Sequence, residues 1–528
     1  MIRKRSLGTV AAAGGFAAAI ALLTGLPSMA RADEMSDLRA NQELLQRRID
    51  QLAQGIPAPG NPYAGDRAAI AGQPSLAGSF PRSFLIPGTD TSIRVGGEAR
   101  EILDFWFNGG PPNGSPQTTT VGNTGQLNSI PLHFHLGSPG FSATAGAARS
   151  RSTDIFQQSP RESKLNVETR TPTAWGEART LIEFDFAGSS AFDPGGAAVT
   201  AVSDSLVPRL RYAYGTLGGW LAGQANSNFA DPDGNAETLD FGGNPGEAGL
   251  VRVPQVRYTM PLAPWGALGA LSMSIETPET DGSTAAGQIA SDGSPLSITP
   301  ANAALAVACT GPTSTTLTCT TSGTGTFFDP FKAPAPDVTL AWYVPQPWGH
   351  WDMSGVIRPG LQIKDGLGVD RTFAGWGIHA GFDVKPGWFG WAKDDILMQA
   401  TGGIGIGRYL NSGTQISIQT NYPALQTVGA AVLVHPVPAF GGEIGYQHWW
   451  MDNLRSDINF GWSHQDLRSN FAGAGTLNKE LAAAHANLIW SPVSFVDVGV
   501  EYTWAHRVVV NNLKGDENAL ITKLGVKF

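Results

Sequence analysis

Residues 495–507 read FVDVGVEYTWAHR, and this stretch decides the fold. On an extended strand Val496, Val498, Val500, Tyr502 and Trp504 share one face, while Asp497, Gly499, Glu501 and Thr503 share the other. A soluble sandwich would bury one face in a dry core. Here the carboxylates of Asp497 and Glu501 ask for water on one side while the other side stays apolar. That is the signature of a strand with lipid on its outer face and water on its inner one.

The last nine residues repeat the pattern. Leu520, Leu524, Val526 and Phe528 alternate with Lys523, Gly525 and Lys527, and the chain ends its strand on an aromatic residue, as strands recognised for outer-membrane insertion do. From Ser92 onward such runs recur, separated by turn residues. Trp265, Trp348, Trp388, Trp391, Trp449, Trp450 and Trp490 gather near strand ends, where amphipathic rings settle at membrane–water interfaces and form girdles.

Composition fits this reading. Only 15% of the 528 residues are charged, yet 66 glycines and many Ser, Thr, Asn and Ala keep the mean hydropathy near zero. The formal charge of −9 argues against a nucleic-acid partner and says nothing of a local field inside a pore. At the N-terminus, Arg3, Lys4 and Arg5 precede an Ala/Gly-rich apolar stretch over 7–26. Ala30-Arg31-Ala32 then offers small residues for cleavage after Ala32, with Ser28-Met29-Ala30 as the second choice, so residues 1–32 read as a signal peptide. Residues 33–54 carry a short heptad, with Met35, Gln42 and Ile49 at a and Leu38, Leu45 and Leu52 at d, which implies self-association through a coiled-coil helix. The alternative is a solitary amphipathic helix on the barrel or the cell wall. Residues 55–90 form a Pro/Gly-rich linker, and 91–528 the all-β part.

Short connections follow Arg170, Gly215, Thr259, Tyr343, Lys385, Trp450 and Trp490; long ones cover 107–160, 187–205, 228–249, 277–334, 409–437 and 466–478, with shorter outer ones near 365–371 and 508–519. Short turns face the periplasm and long loops face outward, so the two must alternate. Reading 426–434 as a strand would give seventeen and break the alternation. Reading it as loop gives a transmembrane antiparallel β-barrel of sixteen strands, wide enough for an aqueous lumen. Fourteen and eighteen are the alternatives.

Several long stretches resemble a known family, the DcaP-like outer-membrane porins. They are SFLIPGTDTSIRVGG (83–97), AGQANSNFADPDGNAETLDF (222–241), VRVPQVRYT (251–259), GYQHWW with LRSDINFGW (445–462) and ANLIWSPVSFVDVGVEYTWAHR (486–507). The resemblance spans most of the chain after the signal. It implies a homotrimer of sixteen-stranded barrels in the outer membrane, each with its own pore, and small organic anions such as dicarboxylates as cargo. The other readings are a general porin without selectivity and an outer-membrane anchor that touches the cell wall through the N-terminal helix. Outer-membrane lipid and lipopolysaccharide would surround the wall.

A diffusion channel selects by its width and by the field at its narrowest point. Residues 229–249, after the fifth strand, are the candidate constriction loop, with Asp231, Asp233, Glu237 and Asp240. If Leu210, Tyr212 and Tyr214 face lipid, Arg209 and Arg211 face inward; Val256 and Tyr258 likewise send Arg257 inward. Arg94 and Arg100 share the wet face of the first strand, and Arg252 joins the inward set only if Pro254 sits at a bulge. These arginines either contact passing carboxylates bidentately, opposite the acidic loop, or pair with Glu98, Glu168, Glu177, Glu183 and Asp185 and brace the wall. Cys309 and Cys319 share one Ser/Thr-rich outer loop, as expected of a disulfide. His133 and His135 lack a third obvious metal ligand, the GGIGIG run (402–407) reads as a strand of small residues, and no catalytic motif appears. The sequence therefore points to no enzyme, no metal and no cofactor.

Overall fold

The computed structural model describes residues 77–109, 155–187, 208–248, 251–262, 268–284, 287–288, 307–310, 318–321, 331–364, 369–388, 391–413, 415–421, 432–471 and 477–528. The signal peptide, the heptad segment, His133 and His135 and most of the linker lie outside these residues.

The wall is built from sixteen strands. They are β1 (Ser92–Asn108), β2 (Lys164–Thr173), β3 (Gly176–Asp185), β4 (Arg209–Leu217), β5 (Trp220–Asn226), β6 (Arg252–Pro261), β7 (Ala270–Glu276) and β8 (Asp337–Gln346), then β9 (Gly349–Lys364), β10 (Asp370–Val384), β11 (Asp395–Ile404), β12 (Pro438–Met451), β13 (Leu454–Gln465), β14 (Asn478–Val493), β15 (Val496–Val509) and β16 (Lys514–Lys527). Each pairs antiparallel with the next, and β16 pairs with β1 from Glu98↔Lys527 to Asn108↔Asn518, which closes the barrel. Closure leaves no free edge strand, so the backbone groups along the ladders are paired within the sheet.

Alternation along the strands sorts the side chains. Ile357, Ile378 and Ile458 on the outer face are 60%, 64% and 65% exposed, so the described residues leave them uncovered. Inward-facing Glu501 and Asp457 are fully buried. On β15, Val500 and Tyr502 point out and Glu501 and Thr503 point in, as the alternation requires. Trp348, Trp388, Trp391, Trp450 and Trp490 are exposed at strand ends, but Trp449 turns away from them and lies against Lys393 and Arg455. An arginine on the outer face costs roughly 2–4 kcal/mol near the bilayer midplane. Ile458→Arg should therefore lower stability in lipid vesicles by about that amount, read from urea unfolding, while Asn459→Ser, on the opposite face, should cost less.

Phe528 anchors the seam. Its N–H donates to the Gly97 carbonyl at 3.0 Å and the Gly97 N–H donates back at 3.2 Å. A Cβ on Gly97 would lie 2.8 Å from the Phe528 ring, so only glycine lets the terminal aromatic settle there.

The connections differ from plain loops. Gly282–Thr284, Gly287–Gln288, Ile418–Thr420 and Val434–Pro436 form a small sheet separate from the wall; Val434, the end of the run 426–434, belongs to it and pairs with no wall strand, while 426–431 lie outside the described residues. Ile416, Val437, Leu467, Phe471, Leu477 and Val510 pack into a core over the outer rim. Val307–Thr310 pairs with Thr318–Thr321, which sets Cys309 opposite Cys319 in the ladder; the side chains there lie outside the described residues. The GGIGIG run is a strand only to Ile404: Gly405 takes a left-handed φ of 68°, and Gly407–Tyr409 forms a 3-10 turn.

Candidate functional site

The connection after β5 folds into the lumen. Its base is sealed where Ser227 Oγ and Asn228 N–H donate to the Glu276 carboxylate at 2.7 and 2.8 Å. Phe229, fully buried, meets Tyr409 edge-on at 5.5 Å between centroids. Further along, the segment leans on one half of the wall, β9 to β15. Asp231 pairs with His350 at 2.7 Å and Glu237 with Arg455 at 2.6 Å. The Ala248 N–H donates to Gln399 at 2.8 Å, and the Asn244 side chain donates to Asn459 at 2.8 Å. Glu501 accepts from Thr238 Oγ1 and the Leu239 N–H, both at 2.7 Å, and from the Asp240 N–H at 3.2 Å. Backbone donors that would be orphaned in a loop are thus satisfied by carboxylates of the wall.

The loop acids are spent differently from the sequence expectation. Asp231 and Glu237 turn toward the wall that carries the loop, and Asp240 accepts from the Gly242 N–H at 2.7 Å; Asp233 is exposed. What faces the arginines of β4 is the Phe241 ring, 5.2 Å from the Arg209 guanidinium carbon and 5.6 Å from that of Arg211. At the loop's end, burial and the nearby Glu443 carboxylate push Glu247 well above the ordinary carboxylate range.

The opposite half of the wall, β1 to β6, is rich in cations. Arg94 meets Glu168 at 2.5 Å, and Arg100 meets Glu98 at 2.7 Å and Glu162 at 2.9 Å. Arg209 meets Asp185 at 2.6 Å; Arg211 meets Glu183 at 2.8 Å and Asp185 at 2.9 Å. The depth of these groups differs. Asp185 is fully buried while the Arg209 side chain is 35% exposed, and Glu168 is 1% exposed against 27% for Arg94. In these two pairs the carboxylate lies behind and the guanidinium in front, toward the water, whereas Arg211 is more deeply buried than Glu183.

Two phase expectations are corrected. Tyr212 and Tyr214 face inward, opposite Glu183 and Leu181, and the Tyr214 hydroxyl accepts from Arg179 at 3.3 Å. A bulge at Glu183/Phe184 leaves Arg211 as the extra residue of β4, which is why Arg209 and Arg211 still point inward although Leu210 faces lipid. The ladder runs unbroken through Pro254, so the bulge required for Arg252 is absent. Arg252 opens its strand, where alternation constrains it least, and its guanidinium lies 5.2 Å from the Tyr212 ring centroid. Arg257 faces inward and donates to Asn228 at 3.4 Å.

A further part of this half lies beyond the residues expected from the sequence. The Ile155–Ser159 strand continues β2 toward the outer rim, and residues 160–163 between them bring Arg161 and Glu162 into buried positions. Ser163 Oγ donates to the Arg100 carbonyl and accepts from the Arg100 N–H, which pins this kink to β1. Pro160 and the charged pair after it, ahead of an alternating run, were the available signal. Arg170 and Arg179, also beyond those residues, join Arg94 on Glu168 at 2.8 Å each.

Comparison with known proteins supports the architecture. Residues 439–526 match the model of the DcaP outer membrane protein family, and 82–295 match that of the porin subfamily. No curated protein matches the sequence. Among solved structures, the outer membrane channel DcaP of Acinetobacter baumannii is similar at a TM-score of 0.58 and 20% identity, covering 84% of this chain and 99% of that one. The anion-selective porin from Comamonas acidovorans aligns at a TM-score of 0.43 and 7% identity, over 83% and 100% of the two chains. OmpT of Vibrio cholerae aligns at 0.42 and 7%, over 84% and 100%. The chain folds as a closed barrel of sixteen antiparallel strands, similar over residues 82–295 to the porin subfamily and over 439–526 to the DcaP outer membrane protein family.

Proposed function

We propose that the barrel is a diffusion channel that favours small organic anions, dicarboxylates among them, and works as a homotrimer with one pore per chain. One observation carries the anion preference: on the β1–β6 half of the lumen Arg94 and Arg209 stand in front of the fully buried carboxylates of Glu168 and Asp185. A solute passing there meets guanidinium edges, which match a carboxylate bidentately. On the other half, Glu237 and Glu501 are engaged by the constriction loop and by Arg455 and His485, so their charge is largely answered within the protein. The two halves together produce a transverse field whose cationic side is open. A general porin without preference would need the same width and no such asymmetry.

Solute flux into liposomes separates the two. Vesicles carrying the purified protein should admit succinate faster than a neutral diol of similar size, and a diamine of that size slowest. Equal rates for all three would identify a general porin.

A further inference from the structure

A second group of cations stands at the periplasmic end of the lumen, near the short Thr173–Gly176 turn. Arg94, Arg170 and Arg179 come from three adjacent strands and converge on the single carboxylate of Glu168 at 2.5, 2.8 and 2.8 Å. Glu168 is 1% exposed, while the three side chains are 27%, 32% and 34% exposed. Arg170 also reaches Glu177, at 3.5 Å, and Arg179 donates to Tyr214. Three cations thus share one fully buried anion and one distant, exposed one, and the excess positive charge faces the water.

The triad is seated on a residue from outside the barrel. The Phe80 ring centroid lies 4.5 Å from the guanidinium carbon of Arg170 and 5.6 Å from that of Arg94, and Phe80 is only 7% exposed. The short segment that carries it is held firmly. The Gly78 N–H donates to the Ser83 carbonyl, the Ser83 N–H to the Phe80 carbonyl, and the Ser79 N–H to Ser92 Oγ at 2.9 Å. Phe84 and Leu85 then pair with Ile93 and Ser92 at the start of β1. Ser92, Arg94 and Arg170 all belong to the inner face, so Phe80 sits inside the periplasmic mouth.

We propose that Arg94, Arg170 and Arg179 form a second carboxylate-binding station at the periplasmic exit, with Phe80 as the residue that positions two of them. The proposal rests on the anion reading above. An aromatic ring against the flat face of a guanidinium leaves its N–H edges available, and an arginine already fixed in place loses less freedom on meeting a carboxylate. Weak binding at successive points is also what conduction needs, since a solute must leave as readily as it enters.

The test uses the full-length protein in a planar bilayer, with succinate added to one chamber at a time and block of the chloride current recorded. Arg170→Gln with Arg179→Gln keeps donors near Glu168 and leaves it paired with Arg94. This variant should weaken block from the periplasmic side about fivefold, roughly 1 kcal/mol, and leave extracellular block within about twofold of the parent. Phe80→Leu should show a smaller loss on the same side, and Phe80→Tyr should restore the parent behaviour. Unchanged periplasmic block in the Arg170/Arg179 variant, or equal loss from both sides, overturns the station. Parent-like block in Phe80→Leu overturns the positioning role. If succinate blocks the parent channel from neither side, the anion reading itself fails. If Arg209 and Arg211 variants lose extracellular block while the triad variants change nothing, that reading stands and the station falls.

Discussion

Replacing Arg209 and Arg211 together by alanine should lower the anion-to-cation permeability ratio about tenfold, an effect of roughly 1.4 kcal/mol. The two guanidiniums flank Phe241, where the constriction loop comes nearest to the basic half of the wall, and Arg209 is the more exposed. The double variant would strand Asp185, which is fully buried and bonded to both. A buried carboxylate without its partners costs about 3–5 kcal/mol. The informative protein therefore adds Asp185→Asn, which removes the stranded charge. The triple variant should fold and lose selectivity, whereas Asp185→Asn alone should fold and keep it. A triple variant whose reversal potential matches the parent would show that these arginines brace the wall and do nothing to passing ions.

The second large effect concerns the loop. Glu501→Ala should raise single-channel conductance and make it noisier, because one carboxylate holds the middle of the constriction. Glu501 accepts from Thr238, Leu239 and Asp240 on the loop and from His485 and Asn487 on the wall. Each buried donor left without a partner costs about 1–3 kcal/mol, more in sum than a loop can lose and stay seated. Glu501→Gln keeps an acceptor oxygen and should fall between the two. Asp516→Ala, at the outer rim beside His506, should leave conductance unchanged. Equal conductance in Glu501→Ala and the parent would mean that the loop is held from its ends alone.

The wall was legible in the sequence because lipid imposes a strict alternation. Residues 495–507 and 520–528 carry it without interruption, and the need for long and short connections to alternate turned a count of seventeen into sixteen. Where the strands are irregular, the same rule misled. It sent Tyr212 and Tyr214 outward because the bulge opposite Arg211 depends on pairing with β3, which no single strand records. The constriction loop was found from its acids and turn residues, but their direction was not. Asp231 and Glu237 pair with His350 and Arg455, residues more than a hundred positions away, and such partners become visible only once the barrel closes. The seat of Phe80 under Arg94 and Arg170 was hidden for a different reason. A Pro/Gly-rich linker reads as a connector, and nothing in its composition says that its end turns back into the mouth.

The reversal potential of the parent channel, in a tenfold gradient of potassium chloride, tests the central claim most directly. Cationic side chains standing in front of their buried partners should draw chloride, so the potential should take the sign of anion selectivity, and reducing the salt should strengthen it because screening weakens. A potential of the opposite sign, or one at zero that ionic strength does not move, would contradict the account.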